Sequence, residues 1–280
     1  MKFCPVRTLR LIAPAIGVAT VVTATIAPAA VVRVTEDNFA AGAGLITFSE
    51  FNLGTLNPVY TPSDYGADTT APTVTTGGYF VGQSLSDNPS VDCPSASPSG
   101  CISGAPTGEL TLDADAPNTF ITNDSSFPTS PTLSGTPRFN GPIALLFDED
   151  QLAVGFEGGF FDAAQSTGIT AFGRQGELLG TVTNETRGIE FLGLVSADGM
   201  SEIAGVFLDL VGSEPAGYNI DNVRFGEPGD VIVPPGVPEI PMEPTDPVDP
   251  LPPVAAVPVP ASLPLLVAGL GLLGFLRRRA

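Results

Sequence analysis

The feature that most constrains the fold is the shortness of the apolar runs between residues 30 and 226. Each run ends at Gly, Pro, Asn or Asp, in a chain that holds 32 Gly and 29 Pro. Short apolar runs between turn-forming residues are typical of β-strands. The sequence predicts about ten strands: Leu45–Phe51, Gly78–Leu85, one that starts near Glu109, Ile143–Phe147, Gln151–Phe161, Gly168–Gly173, Glu177–Thr183, Ile189–Ser196, Glu202–Val211 and Tyr218–Phe225.

The order of these runs indicates the fold class. No window keeps a helical period without a Gly or a β-branched cluster, which argues against a parallel α/β fold. The sequential hairpins expected after Pro142 and the longer crossings before it favour an all-β, jelly-roll-like antiparallel β-sandwich over residues 30–226.

Two segments outside this body have compositions of their own. Residues 1–29 begin with Lys2, Arg7 and Arg10, continue with an apolar run, and end in Ala27-Pro28-Ala29, which predicts a secretory signal peptide. A membrane anchor is the weaker alternative, because Pro14 and several Thr interrupt the run. Residues 227–256 include ten Pro among interspersed acids, which predicts an extended, acidic spacer.

The last 24 residues, 257–280, have three parts. The motif Val257-Pro258-Val259-Pro260-Ala261 leads into an uncharged, apolar run that ends at Leu276, and Arg277, Arg278 and Arg279 follow. A helix over the 16 residues 261–276 would reach about 24 Å, which is short of a ~30 Å hydrocarbon core. The tail is therefore expected to be a short transmembrane helix that anchors only temporarily, with its Arg residues on the cytoplasmic side.

Charge and missing residue types exclude several functions. All 30 Asp and Glu lie between Glu36 and Asp249, and residues 30–256 carry only five Arg, so this part of the chain repels nucleic acid. The chain has no His, and its one Lys is Lys2, which removes serine triads, Cys-His pairs, zinc proteases and Lys chemistry. The G-x-G-x-x-G at Gly269–Gly274 lies inside the apolar tail and lacks the context of a dinucleotide site. We expect no enzymatic activity.

Two small sets of residues have competing interpretations. Cys93 and Cys101 lie eight apart in a Pro/Ser/Gly-rich loop, which predicts a disulfide in an exported protein. A two-Cys metal site is the alternative, although further ligands and His are missing. The acidic run Asp148-Glu149-Asp150 separates two predicted strands and is interpreted as a polar hairpin turn, with a metal site as the alternative.

In this arrangement the chain resembles proteins with a PEP-CTERM sorting signal of Gram-negative bacteria, in the VPxPA variant. The resemblance rests on Val257–Ala261, the short Leu/Gly-rich span and Arg277–Arg279, with VPVP in place of Pro-Glu-Pro. It implies recognition by an exosortase, a membrane enzyme that would cut near the motif. The body would then reach the cell surface or the extracellular matrix, where such proteins accompany exopolysaccharide.

The body more loosely resembles β-sandwich ectodomains. YNIDNVRFG near its end is similar to the closing strand of carbohydrate-binding jelly rolls. In those folds an Asp on that strand and a Glu on the first strand often bind a structural Ca²⁺. The matching residues are Asp221 and Glu50, and carboxylate oxygens suit calcium. Two solvent-facing acids on edge strands are the alternative.

The sequence thus indicates an exported, exosortase-sorted surface or matrix protein that acts by structure or adhesion and associates with exopolysaccharide. A carbohydrate-binding module is the first alternative. A secreted glycoside-active enzyme is the second, because a pair of carboxylates could catalyse that reaction.

Overall fold

The computed structural model describes residues 31–66, 71–94 and 101–234 of the chain. Their fold is all-β, with 49% strand and 4% helix, as the sequence predicts. The predicted signal peptide, the spacer beyond residue 234 and the C-terminal tail lie outside these residues. Within the three described ranges, no helix has the length and apolar character needed to cross a membrane.

The described chain contains fifteen strands and two short helical turns, a 3₁₀ turn at Glu36–Asn38 and α1 at Pro89–Asp92. The strands are β1 Val31–Val34, β2 Gly44–Ile46, β3 Val59–Tyr60, β4 Val74–Gly77, β5 Gln83–Leu85, β6 Ile102–Gly104, β7 Thr119–Asp124, β8 Phe127–Gly135, β9 Ile143–Gln151, β10 Ala153–Phe161, β11 Thr167–Phe172, β12 Leu178–Thr183, β13 Gly188–Ser196, β14 Ile203–Leu210 and β15 Asn219–Gly226.

These strands form two large sheets and a small hairpin. Sheet 1 has the order β1-β13-β10-β15-β8-β7, with β2 also paired to β15, and sheet 2 has the order β12-β11-β14-β9-β4-β3. Strands β5 and β6 pair with each other. Every strand pairing in these sheets is antiparallel.

One continuous hydrophobic core joins sheet 1 to sheet 2. It includes Val154 and Phe225 from sheet 1 and Phe147 and Ile169 from sheet 2, each at most 1% exposed. The rings of Phe147 and Phe225 lie 5.3 Å apart at a tilt of 54°, which is a favourable geometry for an aromatic pair. Two antiparallel sheets that share one core have a sandwich-like architecture.

The sequence prediction missed the hairpin β7–β8. Its second strand, Phe127–Gly135, contains Pro128 and Pro131, and Pro is normally confined to edge strands or strand starts because it lacks an amide hydrogen. Pro131 pairs with Asn123 of β7, whereas contact with β15 comes later, at Leu133. The prolines are therefore accommodated before the strand joins the middle of sheet 1.

The predicted hairpin turn at Asp148–Asp150 is wrong, because all three residues belong to β9. Asp148 accepts a hydrogen bond from the Thr73 amide at 2.7 Å, and Asp150 accepts one from Arg174 Nε at 2.9 Å. These contacts from neighbouring segments hold the acidic residues in extended conformation. The reversal into β10 occurs at Leu152.

The disulfide between Cys93 and Cys101 is confirmed. Cys101 is only 6% exposed and belongs to the main core, and Cys93 packs against it. Because both sulfurs are bonded to each other, neither thiol is left for the alternative metal site.

The chain keeps contact with the body beyond β15. The Ile232 amide donates to Asn38 O at 2.7 Å, and the Ala40 amide donates to Asp230 O at 2.8 Å. Val231 is buried against Phe39. The first residues after Gly226 are thus attached to the sandwich.

Candidate metal centre

Glu50 lies in a turn after β2, so the predicted strand Leu45–Phe51 is too long. The strand ends at Ile46, and Phe48 has a left-handed backbone with φ of 56°. Glu50 Oε1 accepts hydrogen bonds from the amide and the hydroxyl of Thr47, both at 2.9 Å. This side-chain-to-backbone closure competes with strand pairing and fixes the carboxylate beside the sheet.

Asp221 lies on β15 and is 1% exposed. The next residue, Asn222, has φ of 47°, and the pairing of β15 with β10 shifts register there. The other edge of β15 pairs with β8 at Ile220 and with β2 from Val223 onward. Asp221 therefore lies between the part of β15 that pairs with β8 and the part that pairs with β2. The irregular pairing beside Asp221 orients its side chain toward this junction.

Polar groups from three segments meet at Asp221. Its Oδ1 accepts a hydrogen bond from the Asn222 amide at 2.8 Å and lies 3.4 Å from Ser130 Oγ. The same Ser130 hydroxyl lies 3.0 Å from the carbonyl oxygen of Thr47. Ser130 thus connects the turn that carries Glu50 to the strand that carries Asp221.

A third carboxylate, Glu157 of β10, is paired with Asp221 across the sheet. Its Oε2 accepts a hydrogen bond from Asn222 Nδ2 at 2.5 Å. The pKa of Asp221 is raised to about 6, chiefly by burial. Hydrogen bonds from Asn222 and Ser130 lower this pKa, and the charges of Glu157 and Glu50 raise it by smaller amounts. The structure therefore brings Glu50 and Asp221 within electrostatic reach of each other.

Two buried oxygen atoms of this region have no hydrogen-bond partner. They are Glu50 Oε2 and the hydroxyl of Tyr60, whose side chain is fully buried. Burial is the main cause that raises the pKa of Tyr60, and the negative charge of Glu50 is the second cause. Unsatisfied buried oxygens are costly and point to a missing partner such as water or an ion.

The carboxylates also lack a protein cation. The ion pairs in the described ranges connect Arg33 to Glu185 and Glu190, Arg174 to Asp150, and Arg224 to Glu36. None of them reaches Glu50, Glu157 or Asp221. Asp221 is buried, and a buried acid without a counter-charge is destabilising, so a bound cation would offset that cost.

The donors here suit a hard cation. They are the carboxylates of Glu50 and Asp221 together with neutral oxygens of Thr47 and Ser130, and Ca²⁺ takes oxygen ligands of both kinds. In residues 31–66, 71–94 and 101–234, no three His, Cys, Asp or Glu side chains converge as a ready metal-binding group. Calcium at this place would therefore rely on two carboxylates plus carbonyl, hydroxyl and water oxygens.

Sequence reasoning named two members of this centre and missed Ser130, Glu157 and Tyr60. Glu157 did leave a signal, since it is the one charge within the apolar run Gln151–Phe161. The remaining predicted residues of function, Val257–Ala261 and Arg277–Arg279, lie outside the described residues.

Comparison with known proteins found no matching family model, no matching curated protein and no matching solved structure.

Proposed function

We propose that the chain is the precursor of an exported cell-surface or extracellular-matrix protein. The observation that carries the proposal is the order of its segments: an N-terminal signal peptide, an acidic body, a Pro-rich spacer, the VPVPA motif, a short apolar span and three Arg. An exosortase would recognise the motif while the tail holds the chain in the inner membrane. Cleavage near Val257–Ala261 would then release or transfer the body. The disulfide in the body suits the oxidising compartment that this route implies.

The body is proposed to be a jelly-roll variant of the antiparallel sandwich that acts by structure or adhesion alongside exopolysaccharide. Support comes from its acidic surface, which disfavours nucleic acid and anionic membranes as partners. The absence of His from the chain and of Lys from the body removes His and Lys as bases and nucleophile activators. No enzymatic activity is assigned.

Structural calcium belongs to the same proposal. Glu50 and Asp221 would hold the ion, with the Thr47 carbonyl and the Ser130 hydroxyl as neutral oxygens beside them. The ion would offset the buried negative charge. It would also connect the turn after β2 to β8 and β15, where backbone pairing changes partner. A protein that works outside the cell would thereby gain stability from the calcium around it.

A carbohydrate-binding module is the second candidate function. A cavity beside Tyr65 favours it, because the lining of this cavity includes Gln151, Glu227 and Asp230.

The test of sorting compares the full chain with a variant truncated after Ala256 in a bacterium that has an exosortase. We expect the wild-type body to be retained at the surface or in the matrix without its tail, and the truncated chain to be lost to the medium. Identical release of both chains, with the tail still present on the wild type, would contradict the proposal. Co-sedimentation with the matrix polysaccharide then tests the association itself.

A further inference from the structure

A cavity of about 560 Å³ opens beside the end of β15. Its wall is formed by the segment that leads into β2, by Tyr65 and Pro72, by Gln151, and by Phe225 with the residues that follow it. This volume lies in the range of pockets that hold small organic ligands. The cavity is separate from the Glu50–Asp221 centre, since none of the donors of that centre lines it.

Small residues keep the cavity open on one side. Ala41, Gly42, Ala43 and Gly44 form this side. A Cβ on Gly44 would lie 2.2 Å from the Phe225 ring, so no larger residue fits there without moving the ring. A Cβ on Gly42 would lie 3.4 Å from Asp230 Oδ1, at ordinary contact distance. A side chain placed at Gly42 would therefore occupy the cavity without displacing the core.

The polar groups of the lining are mainly acceptors. Gln151 is fully buried, and its Nε2 donates to Glu149 O at 3.0 Å, while its Oε1 has no hydrogen-bond partner. Across the described residues, the carboxylates of Glu227 and Asp230 take part in no hydrogen bond and no ion pair. The hydroxyl of Tyr65 already donates to Pro72 O at 2.5 Å.

The lining thus selects a ligand that donates hydrogen bonds and carries no negative charge. Two free carboxylates and an unpartnered amide oxygen accept from hydroxyl groups, and bonds to ionised acceptors are the stronger kind. No Arg lines the cavity, so uronate, sulfate and phosphate groups would be repelled. The Tyr65 ring contacts Phe225 edge-on at 5.4 Å and adds an apolar surface of the kind that packs on sugar rings.

We propose that this cavity binds one uncharged sugar unit of a polysaccharide, with Asp230, Glu227 and Gln151 accepting hydrogen bonds from its hydroxyls. The inference rests on the proposed association of the body with exopolysaccharide, and it gives that association a site.

The test uses the full chain, exported in a bacterial host and purified in mild detergent. Binding is measured to immobilised neutral oligosaccharides of glucose, mannose and galactose, to uronic acid oligosaccharides, and to the exopolysaccharide of the producing cells. The variants are Gly42→Leu, which fills the cavity, and Asp230→Asn, which removes one charged acceptor. Asp87→Asn is the matched control, because Asp87 is exposed and outside the cavity. Thermal melting verifies that each variant folds.

We expect the wild type to bind at least one neutral oligosaccharide. Gly42→Leu and Asp230→Asn should each weaken that binding by about tenfold or more. Asp87→Asn should leave it unchanged. Wild-type binding that survives both cavity substitutions would overturn the site while the association stands. Binding to the exopolysaccharide through uronic acid units alone would overturn it in the same way. Failure of the wild type to bind any of these glycans would refute the association and the site together. Calcium-dependent melting lost only in Asp230→Asn would show a cation cavity and would also overturn the inference.

Discussion

Calcium should stabilise the body through Glu50 and Asp221, and removing either carboxylate should abolish the effect. Asp221→Asn and Glu50→Gln keep the size of each side chain and remove its charge. Asp221 is 1% exposed and has no cationic partner in the described ion pairs. A bound Ca²⁺ would therefore offset the repulsion between the carboxylates of Asp221 and Glu50 in the folded protein.

The size of the effect follows from mass action. Extracellular calcium sites have dissociation constants of about 10⁻⁴ to 10⁻³ M, so about 10 mM calcium would add about 1.4 to 2.7 kcal/mol to the free energy of unfolding. For a body of this size each kcal/mol raises the melting temperature by about 2 to 4 °C. We expect the wild type to melt about 3 to 11 °C higher in calcium than in chelator.

Circular dichroism melting of the full chain in detergent measures this shift, with Asp87→Asn as the control that keeps it. The chain has no Trp, so its intrinsic fluorescence comes from Tyr, and buried Tyr60 beside Glu50 provides a second signal. Protons should compete with calcium, because the pKa of Asp221 is raised to about 6. The calcium shift should therefore shrink as the pH falls from about 7 to about 5. An equal shift in Asp221→Asn, or no shift in the wild type, would show that Asp221 does not hold calcium.

Three further changes test other parts of the structure. Tyr60→Phe removes a fully buried hydroxyl that has no partner, so without calcium it should leave the free energy of unfolding unchanged or raise it by about 1 kcal/mol; a loss above that size in urea titration would reveal a missed hydrogen bond. Burial raises the pKa of Glu214 to about 7, well above its ordinary value of 4.5. The folded protein therefore binds a proton at Glu214 more tightly than the unfolded chain does, and stability should fall as the pH rises through about 7. Glu214→Gln should flatten this pH profile of the melting temperature between about pH 5 and 8. An unchanged profile would show that Glu214 does not cause the pH dependence. Replacing Cys93 and Cys101 together by Ser should lower stability by about 2 to 3 kcal/mol, the chain-entropy value for so short a loop; an unchanged denaturant midpoint would show that the bond only orders its loop.

The strands of the second half of the fold were predictable from the sequence because they are apolar and closely spaced. Their expected pairing as sequential hairpins was wrong: among the strands described after Pro142, only β11 and β12 are neighbours both along the chain and in a sheet, because the other consecutive strands lie in different sheets. Predicted runs such as Gln151–Phe161 and Ile189–Ser196 correspond to β10 and β13. Strand β8 escaped prediction because its two Pro and its Thr and Ser give no apolar alternation. Tertiary pairing with β7 and β15 makes it a strand. Local propensity is overridden there by long-range contacts.

The candidate metal centre was likewise predictable only in part. The expected meeting of an early strand with the last strand placed Glu50 near Asp221; β2 does pair with β15, and Glu50 lies in the turn after β2. Ser130 and Tyr60 reach the region from β8 and β3, and nothing in their local sequence marks them. The left-handed residues Phe48 and Asn222, which aim the two carboxylates, are likewise set by turn and bulge geometry that periodicity does not encode.

The most direct test of the proposed sorting is the intact mass of the mature protein recovered from the surface of a cell that has an exosortase. We expect a chain that lacks residues 1–29 and ends near the Val257–Ala261 motif, without the apolar span and Arg277–Arg279. A mature protein that still extends to Ala280 would contradict it.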